Sequence, residues 1–283
     1  MPFACGGDIL TPDLIRELAP DVRRPGGRLV FLSPHLDDAV LSCGGLINRQ
    51  VEQGRPILVI TCFAGTPDYG VLSQFAAEQH QRWGQPDDPV AYRRQEDVAA
   101  VTSLGAEHLH LDYLDCIYRR HPSNGEFLYA SETALFNGLH VCDDTLVDEV
   151  AMQLAAVLPP EASQLCVPLS VGNHVDHQVI LQAASQLDGG QFSLWHYEDY
   201  PYAQVPGALA RALAEWASAP TAFLQPLAEA GLSAKISAIL CYRSQLQVLF
   251  GGETRVESKV RSYALYLGTG TRYAERYWLD GVA

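Results

Sequence analysis

Apolar residues over the first two hundred positions fall in short, continuous runs. "RLVFLS" (28–33), "PILVITCF" (56–63) and "QLCVPLS" (164–170) show no alternation, the pattern of strands covered by helices on both faces. "EHLHLDYL" (107–114) and "FSLWHYE" (192–198) read as two further strands. Between the runs the period lengthens. Val40, Cys43, Ile47 and Val51 share one helical face, and "YRRQEDVAAVTSLG" (92–105) ends in a glycine of the kind that stops helices. "TLVDEVAMQLAAVL" (145–158) and "HQVILQAASQL" (177–187) are two more helices. Strand and helix alternate, which predicts an α/β fold around a mostly parallel sheet.

Residues 64–91 and 113–144 break this rhythm. Both stretches are rich in Pro, Gly, Asp and Tyr, and loops of such length in a compact domain tend to carry function. After residue 200 the pattern turns helical, with "LSAKISAILCYRSQLQVLF" (232–250) as the strongest segment. No repeat, low-complexity tract or clean linker divides the chain. Residues 1–283 therefore read as one domain, with a core over about 28–200 and a helical elaboration over about 201–283.

A hydrophobic fraction of 48% supports a sizeable core. No apolar run nears the roughly 18 residues of a membrane span. The opening "MPFACGGDILTPDLIRELAP" lacks the basic-then-apolar order of a secretory signal, so a cytoplasmic protein is expected. Nineteen Lys and Arg against 33 Asp and Glu give a formal charge of −14, which argues against nucleic-acid and anionic-membrane partners. Seven scattered cysteines without a CxxC spacing read as reduced apolar fillers. A homo-oligomer is compatible with all of this.

The chemistry gathers where strands end. In an open parallel sheet, ligands bind beyond the carboxyl ends of the strands. "SPHLDDAV" places His35, Asp37 and Asp38 at one such end, and "VGNHVDHQVI" places His174, Asp176 and His177 at another. Imidazole nitrogens and carboxylate oxygens suit zinc, whose catalytic sites combine three protein ligands with a water. Taken singly, either aspartate of the first motif reads as a helix N-cap. The second motif alone reads as a pair of surface histidines. Their joint occurrence at two strand ends points to a metal site, with Asp37 and Asp38 unranked. His108 and His110 share a strand face but lack a third ligand and read as surface residues. His80, His121, His140 and His196 stand alone. No GxGxxG follows the first strand, which argues against a dinucleotide-binding module.

These motifs resemble those of the PIG-L/LmbE-like family of metal-dependent N-deacetylases, which act on N-acetylglucosaminyl compounds. "PHLDDA" (34–39) is similar to the family's PHPDDE and "HVDH" (174–177) to its HxDH. "YRRQEDVAAVTSLGA", "LDYLDCIYR", "WHYEDYPYA" and "YRSQ" resemble further family segments, so the likeness spans about residues 28–250. Two positions depart from it, Leu36 for Pro and Ala39 for Glu.

The resemblance implies a Rossmann-like sheet and a zinc ion (ferrous iron being the other candidate) held by His35, Asp38 and His177. It makes Asp37 the general base, His174 a cationic donor to the developing oxyanion and Asp176 the group that orients His174. Either Asp37 or His174 protonates the leaving amine. Arg93 and Asp115 align with residues that bind sugar hydroxyls. The implied substrate is a small amino-sugar or glycoconjugate. A zinc amidase acting on a non-sugar amide or thiol conjugate, and a non-catalytic sugar binder, are the alternatives. Tyr197, Tyr200 and Tyr202 read as an aromatic wall or as core. Gly44 and Gly45, inside a helix, read as sites of close packing.

Overall fold

A computed structural model of the chain describes residues 15–17 (backbone only), 27–84, 87–187, 192–216 and 220–279. The strands are β1 (Ile15–Glu17), β2 (Arg28–Ser33), β3 (Ile57–Thr61), β4 (Glu107–His110), β5 (Ala162–Pro168), β6 (Ser193–Tyr197), β7 (Thr221–Leu227) and β8 (Tyr273–Leu279). The helices are α1 (Asp38–Glu52), α2 (Gln74–Arg82), α3 (Pro89–Ser103), α4 (Glu132–Leu135), α5 (Asp144–Val157), α6 (Val175–Gln186), α7 (Ala208–Ala214), α8 (Glu229–Ile239), α9 (Arg243–Gln245) and α10 (Val256–Leu267).

One sheet holds these strands in the order β1-β7-β8-β6-β5-β2-β3-β4. All pairings are parallel except those of β8, which runs antiparallel to β6 and to β7. The continuous apolar runs are explained by cover on both faces. Leu29 and Phe31 of β2 pack with α1, α3, α8 and α10, while Val30 and Leu32 pack with α5 and α6. Topology then fixes where a ligand belongs. From β2 the chain winds outward through β3 and β4, then returns to place β5 on the other side of β2 and winds away through β6. The carboxyl ends of β2 and β5 therefore border the switch point at which a crevice opens.

The described residues hold no helix long and apolar enough to cross a membrane. Described cysteines are free, and Cys43, Cys62, Cys116 and Cys166 are buried as small apolar fillers. Gly105 follows the last turn of α3 with φ +78°, the left-handed conformation that ends helices. The opening twenty residues, Cys5 among them, fall outside the described residues save for 15–17.

The C-terminal elaboration differs from the helical expectation. It includes β7 and β8, which extend the sheet rather than capping it. The "LSAKISAILCYRSQLQVLF" segment is also not one helix, because α8 ends at Ile239 and a π-helical turn follows at Leu246–Phe250. Two acids of α3 hold the break open. Asp97 accepts the Tyr242 hydroxyl at 2.7 Å, and Glu96 accepts the Ser244 N–H and hydroxyl at 2.9 and 2.6 Å. Satisfying these buried carboxylates outweighs one more turn of helix.

Gly44 and Gly45 are sites of close approach, as their position in α1 predicts. A Cβ on Gly44 would lie 2.9 Å from Lys235 Cγ, and one on Gly45 would lie 2.6 Å from Leu227 Cδ2. Through this gap Glu275 of β8 accepts the N–H groups of Gly45 and Leu46 at 2.9 and 2.8 Å. Lys235 of α8 donates to Glu275 at 2.7 Å and to the Ser42 carbonyl at 3.0 Å. A buried ion pair thus pins α1 to the C-terminal half. Lys235→Met is expected to destabilise the fold by about 3–5 kcal/mol, since it strands a buried carboxylate. Urea unfolding checks this, and a loss below about 1 kcal/mol would show that Glu275 is satisfied by the helix N–H groups alone.

Candidate active site

The hydroxyl of Ser33 shapes the turn after β2. It donates to the His35 carbonyl at 2.7 Å and accepts the Ala39 N–H at 3.0 Å. Asp37 then occupies the N-cap position of α1 but makes no capping bond, and Asp38 is the first helical residue. The capping explanation for these aspartates therefore fails. Both are buried, at 6% and 7% exposure. The loop after β5 delivers His174 to the N-cap of α6, where its Nδ1 accepts the Asp176 N–H at 3.3 Å.

These two turns meet at the switch point. Asp38 Oδ2 lies 3.2 Å from His35 Nδ1 and 3.3 Å from His177 Nε2. Ligands about 2.0–2.1 Å from a tetrahedral zinc stand roughly 3.3 Å apart, so the spacing fits a shared cation. His177 Nε2 is also a buried polar atom with no hydrogen-bond partner. The remaining nitrogens of these two rings are held by carboxylates, His35 Nε2 by Asp176 at 2.9 Å and His177 Nδ1 by Asp199 at 2.6 Å. A carboxylate behind each imidazole is the usual support of a metal-ligating histidine. His174 lacks one. Its nitrogen comes within 4.8 Å of ligand atoms of His35 and His177, but Nε2 contacts Cys116 Sγ, at 4.0 Å, instead of a carboxylate.

Protonation follows charge. Burial and then the neighbouring Asp38 carboxylate push Asp37 up to about 7, against the pull of Arg93. Asp38 lies well below the usual carboxylate range: burial opposes this, but His177 and His35 prevail. Burial works against a charge on His35 and His177 as well. Nearby carboxylates nevertheless raise both, His177 to about 9. Those protons neutralise the cluster in the way a cation does, and metal binding displaces protons from its ligands.

Two expectations meet a different arrangement. Asp176 does not orient His174 through its carboxylate. That group accepts from His35 Nε2, from the Cys116 N–H at 3.0 Å and from Arg119 Nη1 at 2.5 Å, so it supports His35. For His174 the surroundings disfavour the cationic form. Burial first, then His35 and His177, lower it well below the ordinary histidine value. Because Nδ1 accepts a backbone N–H, the neutral ring carries its proton on Nε2.

The cleft above this cluster has a volume of ≈ 120 Å³. His35, Asp37, Asp38, Arg93, Asp115 and His174 line it, while Asp176 and His177 are buried beneath at 0% and 1% exposure. The Arg93 guanidinium stacks on Trp83 at 4.7 Å and approaches Asp37 Oδ2 at 3.6 Å. Asp115 caps a 3₁₀ turn by accepting the Ile117 N–H at 3.1 Å, and its Oδ2 lies 3.8 Å from His35 Nε2. Of the three tyrosines only Tyr202 reaches the cleft. Tyr197 and Tyr200 are core residues. His108 is exposed and His110 bonds Asp97 at 2.8 Å. Ala39 lies in the apolar cluster under α1 and does not line the cleft.

Asp199, Arg119 and Trp83 escaped the reading of the sequence. Asp199 was findable, being a carboxylate just past the end of the strand beside β5. Arg119 and Trp83 lie in the two irregular stretches, where no period assigns a direction to a side chain.

Comparison with known proteins gives the family. Residues 30–187, more than half of the chain, match the family model described as PIG-L: GlcNAc-PI de-N-acetylase. The 2'-N-acetylparomamine deacetylase of Niallia circulans is 27% identical over 264 residues, covering 89% of this chain and 90% of that protein. The zinc-inhibited form of teicoplanin deacetylase Orf2 superposes with a TM-score of 0.79 at 31% identity, covering 89% of this chain and 97% of that one. The A40926 pseudoaglycone deacetylase Dbv21 does so with a TM-score of 0.70 at 28% identity, covering 91% and 99%. The chain belongs to the PIG-L family and is an enzyme of its deacetylase type.

Proposed function

We propose that the protein hydrolyses the acetamide of an N-acetylated amino sugar carried on a larger glycoconjugate, with Zn²⁺ or, alternatively, Fe²⁺ held by His35, Asp38 and His177. The observation that carries the reading is the pair of imidazoles facing one carboxylate oxygen, each backed by its own aspartate. The relatives support the substrate class, because those reported above are named as deacetylases of 2'-N-acetylparomamine, teicoplanin and the A40926 pseudoaglycone. When bound, the ion provides a Lewis acid that brings the pKa of a coordinated water from about 15.7 to about 7.

The chain's own groups do the rest. Asp37, held near neutrality by burial, accepts the proton of the attacking water. The water oxygen bonds to the acetyl carbon, and negative charge builds on the carbonyl oxygen. His174 donates its Nε2–H to that oxygen as a neutral imidazole, a donor that needs no proton from solvent. The C–N bond then breaks, Asp37 returns its proton to the departing nitrogen, and acetate and a free amine result. Arg93 and Asp115, which both line the cleft, take the ring hydroxyls.

Acetate release from 2'-N-acetylparomamine and from methyl N-acetylglucosaminide tests the reaction; if metal-loaded protein releases none from either, the deacetylase reading fails. Asp37→Asn is expected to lower kcat by about 10²–10⁴-fold with bound metal unchanged. Metal analysis should show His177→Ala without stoichiometric metal. Asp199→Asn should keep the site but weaken metal affinity by about 10–100-fold, and an unaltered affinity would remove Asp199 from its supporting role.

A further inference from the structure

The "YRSQ" segment (242–245) ends in a side chain that the chemistry above leaves unused. Gln245 is 5% exposed and lines the metal cleft together with Arg93, Trp83 and Leu249. It closes the short helix α9, and the π-helical turn Leu246–Phe250 starts directly after it. Turns of that kind are frequent at functional sites. The acids of α3 hold this one in place, since Tyr242 is tied to Asp97 and Ser244 to Glu96. Gln245 is therefore presented on a fixed support.

The hydrogen bonds of Ser244 decide which way the amide faces. Its hydroxyl donates its single proton to Glu96 Oε2 at 2.6 Å, and Glu96 Oε1 accepts the Ser244 N–H at 2.9 Å. Ser244 Oγ can then only accept from its other neighbour, and Gln245 Nε2 donates to it at 2.9 Å. The opposite orientation, with Gln245 Oε1 against Oγ, would set two acceptors face to face. Gln245 Oε1 is thus turned away from Ser244, and it accepts no hydrogen bond among the described residues. An acceptor left open on a nine-tenths-buried side chain at the wall of a ligand cleft calls for a donor.

We propose that Gln245 is a substrate-binding residue whose amide oxygen accepts a hydrogen bond from a ring hydroxyl of the sugar. The cleft already offers a guanidinium in Arg93 and a carboxylate in Asp115. A neutral acceptor supplies what neither does, because it takes a hydroxyl proton without adding negative charge beside Asp37 and Asp38. A hydroxyl satisfies this oxygen, whereas an ether, a deoxy carbon or an acyl chain leaves it bare. Sites built on a buried polar group reject analogues of that kind. The inference rests on the metal cleft being a sugar deacetylase site, and it makes Gln245 a determinant of the hydroxyl pattern admitted there.

Kinetics of wild type, Gln245→Met and Ser244→Ala on methyl N-acetylglucosaminide and its 3-, 4- and 6-deoxy analogues test the proposal. With wild type, one deoxy analogue is expected to lose about tenfold in kcat/KM, the effect of one missing hydrogen bond. Gln245→Met should raise KM for the parent glycoside by about the same factor, hold kcat within twofold, and no longer distinguish that analogue from the parent. Ser244→Ala, which frees the amide to turn, should give a KM between those of wild type and Gln245→Met. A KM for Gln245→Met within twofold of wild type would overturn the proposal, as would an equal loss on every glycoside, the behaviour of a support rather than a contact. If metal-loaded wild type turns over no glycoside, the deacetylase reading fails, and calorimetric binding of the same glycosides decides the role of Gln245 by the same comparison.

Discussion

Buried negative charge is the constraint around which this protein is organised. Asp37, Asp38, Asp176 and Asp199 are all buried within one shell of side chains, with Asp115 at its edge. A carboxylate removed from water costs several kcal/mol unless it is paired and hydrogen-bonded. Each has therefore been given a partner: Arg93 beside Asp37, His35 and His177 around Asp38, Arg119 and a backbone N–H on Asp176, and His177 with the Val171 N–H on Asp199. The space between His35, Asp38 and His177, where protons on the two rings balance the carboxylate, is where the proposed divalent cation would sit.

The partners come from far apart in the chain because the switch point is where distant segments meet. Arg93 arrives on α3, Arg119 from a loop, and Asp199 from the end of β6. Among the described residues, the stretch after residue 200 supplies no aspartate to the candidate site, yet it fixes the helix on which Asp38 stands. Lys235 and Glu275 enter α1 at its two glycines, while Glu96 and Asp97 seize the turn that brings Gln245 and Leu249 to the cleft. Polar bonds of this kind set position, whereas the surrounding apolar clusters supply most of the stability.

Much of the site was legible before any fold was known. His35, Asp38, His174 and His177 stood out because strand ends in a parallel sheet are places for ligands, and all eight residues singled out fall in or directly beneath one cleft. Roles were less legible than positions. Asp176 precedes His177 and follows His174 by two residues, and spacing alone cannot say which imidazole its carboxylate meets. The first turn of α6 turns it toward His35, in a different motif altogether.

The sequence by itself determined the helix-covered parallel core, because burial on both faces leaves its mark in every residue of a strand. It also determined the two acidic-histidine motifs, whose chemistry is local. Only the tertiary structure decided the surroundings of His174, the supporting aspartates and the strands β7 and β8. Protonation depends on the neighbours that folding brings within a few ångströms. A strand such as β7, buried in an alternating and broken pattern, is specified by the partners on either side of it as much as by its own residues.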